Sequence, residues 1–130
     1  MGQPAAKKGD QVMAIDTHIV IPPSPDSPAP LPHPFAGIIN GALSSDVNIM
    51  GMPAATVDST ADNTPPHVPT PPGISFQTPP SNKGTIKTGS PTVKINGKMA
   101  ARNGDTAATC NDPSDLPVGT VVAVGTVLIG

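Results

Sequence analysis

Apolar residues in this chain fall in short alternating runs cut by proline and glycine, and this period-two pattern predicts strands rather than helices. Ile19-Val20-Ile21 marks a strand within residues 11–21, and Val47-Asn48-Ile49 alternates as a second that ends at Gly51. Ile86 leads into a turn at Gly89-Ser90-Pro91, and Thr92 to Ile95 reads as a strand. Asn96-Gly97, which follows, is a type I′ hairpin signal. The closing strands are Thr120 to Val124 and Thr126 to Ile129, separated by Gly125. Residues 22–34 and 65–80 hold seven prolines each and read as extended loops, since proline cannot donate to a ladder. Phe35 to Leu43 is the one stretch that fits a short helical turn.

The strands belong to a repeat. Pro4-Ala5-Ala6-Lys7-Lys8-Gly9-Asp10 returns as Pro53-Ala54-Ala55-Thr56-Val57-Asp58 and as Met99-Ala100-Ala101-Arg102-Asn103-Gly104-Asp105. This reading makes Asp58 the counterpart of Asp10 and Asp105. Val47-Asn48-Ile49 and Val93-Lys94-Ile95 precede the second and third copies, while Val127-Leu128-Ile129 closes the chain. Laid on a circle, these are three units, with the C-terminal strand meeting the N-terminus. Units of this size cannot bury an apolar face alone and must pack on one another.

With 130 residues the chain is expected to form a single domain, residues 1–130. The absence of Glu, the scarcity of Leu and the density of proline and glycine reinforce the all-β reading. A net charge of −2 with seven Lys plus Arg gives no footprint for nucleic acid or anionic lipid. No apolar run approaches the roughly 20 residues of a membrane-spanning helix, and no signal-peptide pattern opens the chain. It is therefore expected to be made in the cytoplasm without such a signal. No Trp or Tyr and only two Phe leave a poor core, which calls for a staple.

His18, His33, His67 and Cys110 are the candidates for that staple. His18 stands fourteen residues after Pro4 and His67 fourteen after Pro53, so two repeats place a histidine at one structural position. Cys110 falls near the same place in the third, and His33 can supply a fourth ligand. Three imidazoles and a thiolate suit one structural Zn²⁺. The plainer alternative is surface histidines and a lone buried cysteine, because short zinc-finger pairings are absent. The proline-rich stretches also admit a reading as linkers or adaptor ligands, although each carries a histidine that a spacer does not need. Four protein ligands leave no open metal position, there is no Glu for proton transfer, and no nucleophile elbow is present, so an enzyme is not expected.

Residues 89–105, from Gly89-Ser90-Pro91-Thr92-Val93 to Asn103-Gly104-Asp105, closely resemble the PAAR-repeat family, and Pro53 to His67 resembles its PAAR-like branch. Lys7 and Thr56 stand where the motif has Arg, and Met99 where it has Pro. The resemblance implies a small conical all-β domain with long Pro-rich loops and a zinc-stapled apex. It implies a tip that caps the trimeric spike of a contractile injection system, such as type VI secretion, an extracellular injection particle or a phage tail. In that family three His and one Cys hold the zinc, here His18, His33, His67 and Cys110. The spike trimer would meet one tip chain at a base formed by Val47, Ile49, Val93, Ile95, Val127 and Ile129. The chain end at Gly130 leads to the expectation that no toxin domain follows. An effector-recruiting adaptor or Pro-rich binding module is the alternative, and a zinc hydrolase a third.

Overall fold

In a computed structural model describing residues 2–23, 27–71 and 73–130, the chain forms thirteen strands and no helix among those residues. The strands are β1 (Gln3–Pro4), β2 (Gln11–Ile21), β3 (Ala29–Gly41), β4 (Asn48–Ile49), β5 (Met52–Pro53), β6 (Thr60–Asn63) and β7 (Ser75–Phe76). They continue with β8 (Lys83–Ile86), β9 (Lys94–Ile95), β10 (Lys98–Met99), β11 (Thr106–Thr109), β12 (Leu116–Val122) and β13 (Leu128–Ile129). Positions 24–26 and 72, inside the two proline-rich stretches, lie outside the described residues.

Six strands close a barrel. β2, β3, β6, β8, β11 and β12 pair antiparallel in that order, and β12 returns to β2 with Thr120 opposite Met13. Closure removes the unpaired edges that would otherwise template aggregation. Each repeat contributes two neighbouring strands. The interior is filled by Val12, Phe35, Ile39, Ala61, Ile86, Ala107 and Val121, all buried. Ile39, Ile86 and Val121 hold corresponding places, since their N–H groups donate to the carbonyls of Asp10, Ser59 and Asp105.

Below the barrel the repeats meet in a closed cycle of hydrogen bonds. Ala6 N–H donates to Ala101, Ala101 to Ala55, and Ala55 to Ala6, at 2.9, 3.0 and 3.0 Å. All three alanines are fully buried, which explains the small side chain there: the three backbones converge on one axis. Beyond this ring stand three two-stranded pairs, two of them hairpins. β4–β5 and β9–β10 turn through Met50-Gly51 and Asn96-Gly97, whose φ angles of 53° and 83°, and of 53° and 79°, are those of a type I′ turn. The third pair is β1–β13, with Gln3 opposite Ile129, so the two chain ends meet as the circular reading expects.

Two readings need correction. Residues 29–34 are strand, not loop, and Phe35 to Gly41 continues that strand rather than turning as helix. Pro30, Pro32 and Pro34 fall at every second position, so their missing N–H groups all face one side. β6 pairs with β3 only from Gly37 onward, leaving the prolines no ladder to break on that side. Phe35 and Ile39, four apart, satisfy a helical and a strand period alike; pairing to β2 on one side and β6 on the other decides for strand. The second correction concerns Asp58. Ser59, not Asp58, matches Asp10 and Asp105, because the N–H groups of Asp10, Ser59 and Asp105 bond the carbonyls of Lys7, Thr56 and Arg102. Asp58, at φ 78°, holds the left-handed place of Gly9 (95°) and Gly104 (90°).

Candidate metal centre

β2 and β3 run past the barrel as a two-stranded ribbon, and the polar cluster sits under it, at the end away from the hairpins. His18 lies seven residues beyond Gln11, about 24 Å along an extended strand. Strand alternation turns Asp16 and His18 to the same buried face as Val12. On β3, His33 stands opposite Asp16 and is buried beside it. β7 adds to the outer edge of β2 at Val20 and Ile21, bringing the Phe76 ring to 5.5 Å from His18 and 5.2 Å from His33.

His67 comes from the loop after β6, where two asparagines set its place. Asn63 Oδ1 accepts from Ala36 N–H, and Asn82 Oδ1 accepts from His67 N–H at 2.8 Å and from Asn63 Nδ2 at 3.2 Å. Cys110 directly follows β11. The next two residues tie it to β2: Asn111 Oδ1 accepts from Thr17 N–H at 2.6 Å and Asp112 Oδ2 from Ile19 N–H at 2.8 Å.

The three imidazole centroids form a nearly equilateral triangle with sides of 5.0, 5.6 and 5.6 Å. One ligand atom each from Asp16, His18, His67 and Cys110 lies within 4.8 Å of the other three. The structure thus joins three of the four residues named from sequence with Asp16, which that reading missed. His33 stays in ring contact, with Nδ1 2.9 Å from the Leu31 carbonyl and Nε2 3.1 Å from Thr70 Oγ1. The signal for Asp16 was its Asp-x-His spacing: on a strand, residues two apart share a face.

Neither ring nitrogen of His18 has a hydrogen-bond partner among the described residues, although the side chain is only 1% exposed. Its nearest carboxylate oxygen, Asp112 Oδ2, is 3.6 Å from Nδ1. A buried polar atom left unpaired costs about 1–3 kcal/mol, so an imidazole with two calls for a ligand. Burial, the largest influence, lowers the His18 pKa and favours the neutral, ligating form; Asp112 opposes it more weakly. Burial also pushes the Cys110 thiol up to about 11, with the Asp16 charge adding to the effect. A thiolate there needs a cation beside it, which a metal ion supplies. Two nitrogens, a sulfur and a carboxylate oxygen, buried and converging, are compatible with a metal ion.

A closed barrel of three pseudo-repeats, with symmetric hairpins at one end and a metal-compatible cluster at the other, defines a small structural β domain. Comparison with family models matches the PAAR motif over residues 29–113 and 76–130, more than half of the chain, and the protein belongs to this family. The PAAR motif is associated with spike-tip proteins of contractile injection systems, a structural and non-enzymatic role in which the protein caps a spike. No curated protein matches the chain.

Proposed function

We propose that this chain is the structural tip of a contractile injection particle, seated singly on a homotrimeric β-helical spike and driven with it into a target envelope. The observation that carries the reading is the threefold equivalence of the hairpin end. Ile49, Ile95 and Ile129 are 6%, 8% and 7% exposed and gather in one cluster with Ala5, Ala54, Ala100 and Val93. The carbonyls of Val47, Val93 and Val127 accept from Ala54, Ala100 and Ala5 at 2.9, 3.0 and 2.9 Å. One chain therefore presents the same backbone three times about an axis, and only one such chain fits on a true threefold partner. Val47, Met50, Met52, Val127 and Leu128 remain exposed there, an apolar rim for the spike to cover.

At the far end, one structural Zn²⁺ is held by His18, His67 and Cys110 with one further side chain from the cluster. Bound there, the ion crosslinks β2, the loop after β6 and the end of β11, which stiffens the end that meets the envelope. The tip acts by rigidity under load, not by turnover.

Native mass spectrometry of the chain mixed with its spike checks the assignment. One tip per three spike chains, retained at raised salt because the rim is apolar, is the expected result. Three tips per trimer, or dissociation at moderate salt, would refute it. An adaptor that recruits an effector is favoured by one observation: Met13 and Ile15 on β2 and Leu116, Val118 and Val122 on β12 expose apolar side chains along one barrel wall.

A further inference from the structure

The β2–β3 ribbon projects beyond the barrel, where closure cannot hide its edges, and its two edges are treated differently. On the outer edge of β2 the amides are taken up: Thr17 and Ile19 N–H donate to Asn111 and Asp112, and β7 pairs at Val20 and Ile21. The outer edge of β3 meets no strand before Gly37. Ala36 fixes its direction, since its N–H donates to Asn63 Oδ1 and its carbonyl accepts from Thr64 N–H, both on the β6 side. Backbone groups alternate sides along a strand, so positions 34, 32, 30 and 28 face outward as well. All four are exposed prolines. Ala29, Leu31, His33 and Phe35, the positions turned toward β2, lie opposite Val20, His18, Asp16 and Ala14 and keep their amides.

We propose that the alternating run Pro28, Pro30, Pro32, Pro34 is an association block: it empties the outer edge of β3 of donors, so that the ribbon of one chain cannot add to the ribbon of a second copy. An open edge with alternating N–H and C=O groups is a template for another strand. Two identical edges pair most simply with each other, antiparallel about a twofold axis. Here each edge offers carbonyls only, and two rows of acceptors make no ladder. The extent of the run supports this reading. It fills every outward position of the open segment and stops at Ala36, where Asn63 takes the amide and β6 begins to cover the edge, with Asp62 opposite Ile38.

Sedimentation of the full chain over a range of concentrations, read together with amide hydrogen exchange, tests the block. Wild type should stay monomeric throughout. Pro30→Thr with Pro32→Thr restores two outward amides without adding apolar surface; in the monomer they face water, so the ribbon should survive. This double variant should self-associate at least about 100-fold more tightly than wild type, because each chain brings two new donors. The new amides should exchange freely when dilute and become protected on association. Thr17→Val is the control: Thr17 lies opposite Pro32, so the change adds apolar surface to the same face, but its N–H is already bound by Asn111 and no donor appears. It should remain monomeric. Wild-type association through β3, equal association of Thr17→Val, or a monomeric double variant with the Leu31 and His33 amides still protected would each overturn the proposal. Loss of the ribbon in the dilute double variant would overturn it too, assigning the prolines to ribbon stiffness instead.

Discussion

At the hairpin end, three isoleucines from three repeats have nearly equal burial and three valine carbonyls make the same bond. At the other end, the same repeats contribute a histidine from a long strand, a histidine from a loop and a cysteine just past the end of a short strand. The ring of Ala6, Ala55 and Ala101 separates the hairpins from the barrel. On the proposed function, the difference follows from what each end would have to match. A threefold partner rewards three equal surfaces, whereas a four-coordinate ion cannot be served by three equal donors alone. A fourth donor would have to break the symmetry, and the extended β2–β3 ribbon of the first repeat brings further polar side chains, Asp16 and His33, beside the cluster. Repeat identity is thus kept where the backbone meets an axis and given up where chemistry is local.

If the cluster holds the proposed zinc, removing that ion should produce the largest effect. Strong chelation, or His18→Ala or Cys110→Ala, should lower bound zinc from one per chain to near none. The accompanying stability loss should be several kcal/mol, toward the order of 10 kcal/mol seen when metal binding and folding are coupled. Metal analysis with calorimetry tests this; full zinc retention in both variants would end the asymmetric half of the comparison. The ring provides the opposite test. Ala6→Val, Ala55→Val and Ala101→Val each overpack a fully buried position where backbones converge, at about 1–3 kcal/mol apiece. Urea unfolding should rank the three alike. A wide spread would show that the axis is less symmetric than its hydrogen bonds.

A similar cost is expected one layer out, in the turns. Asp10 Oδ2 accepts from the Lys7 backbone N–H at 3.0 Å and Asp105 Oδ2 from that of Arg102 at 2.7 Å, and each also meets its repeat's cationic side chain. Asp10→Ala and Asp105→Ala should each cost about 1–3 kcal/mol by orphaning a part-buried N–H. Asp58→Ala should cost less in chemical denaturation, since Asp58 is exposed and meets Lys98 at 3.4 Å only on the surface.

The circle was legible because its evidence is local: Val127-Leu128-Ile129 repeats Val47-Asn48-Ile49, and Asn96-Gly97 names its own turn. The equal offsets of His18 and His67 were legible for the same reason, since both count eight residues from the structurally matching Asp10 and Ser59. Three features were not. Strand β3 was hidden because a proline's effect depends on which side its nitrogen faces, and only the pairing with β2 and β6 decides that. Ser59 was hidden by the adjacent Asp58, whose side chain matches the motif while its backbone takes the glycine's place. Asp16 was missed because a residue-type search for His and Cys passes over a carboxylate, although its spacing from His18 already put both on one face. In each case the missing information was direction.

Ser59 offers the finest test of why one repeat departs from the other two. Where Asp10 and Asp105 face Lys7 and Arg102, Ser59 faces Thr56, so the anion and the cation are lost together. Ser59 Oγ accepts from Thr56 N–H at 3.0 Å, as the aspartates do, but it also donates to the Ala42 carbonyl at 2.8 Å. A carboxylate cannot make that second bond. Ser59→Asp alone should therefore destabilise by about 1–3 kcal/mol, through repulsion from the Ala42 carbonyl and a buried charge without a partner. Thr56→Lys borders a cleft of about 260 Å³ that gives the longer side chain room. In the double variant the new cation should recover part of the loss, with a coupling energy of about 1 kcal/mol in a double-mutant cycle. Full additivity would mean that the second repeat differs for the sake of the Ala42 bond alone, and that the ion pairs of the other two repeats contribute little to the symmetry.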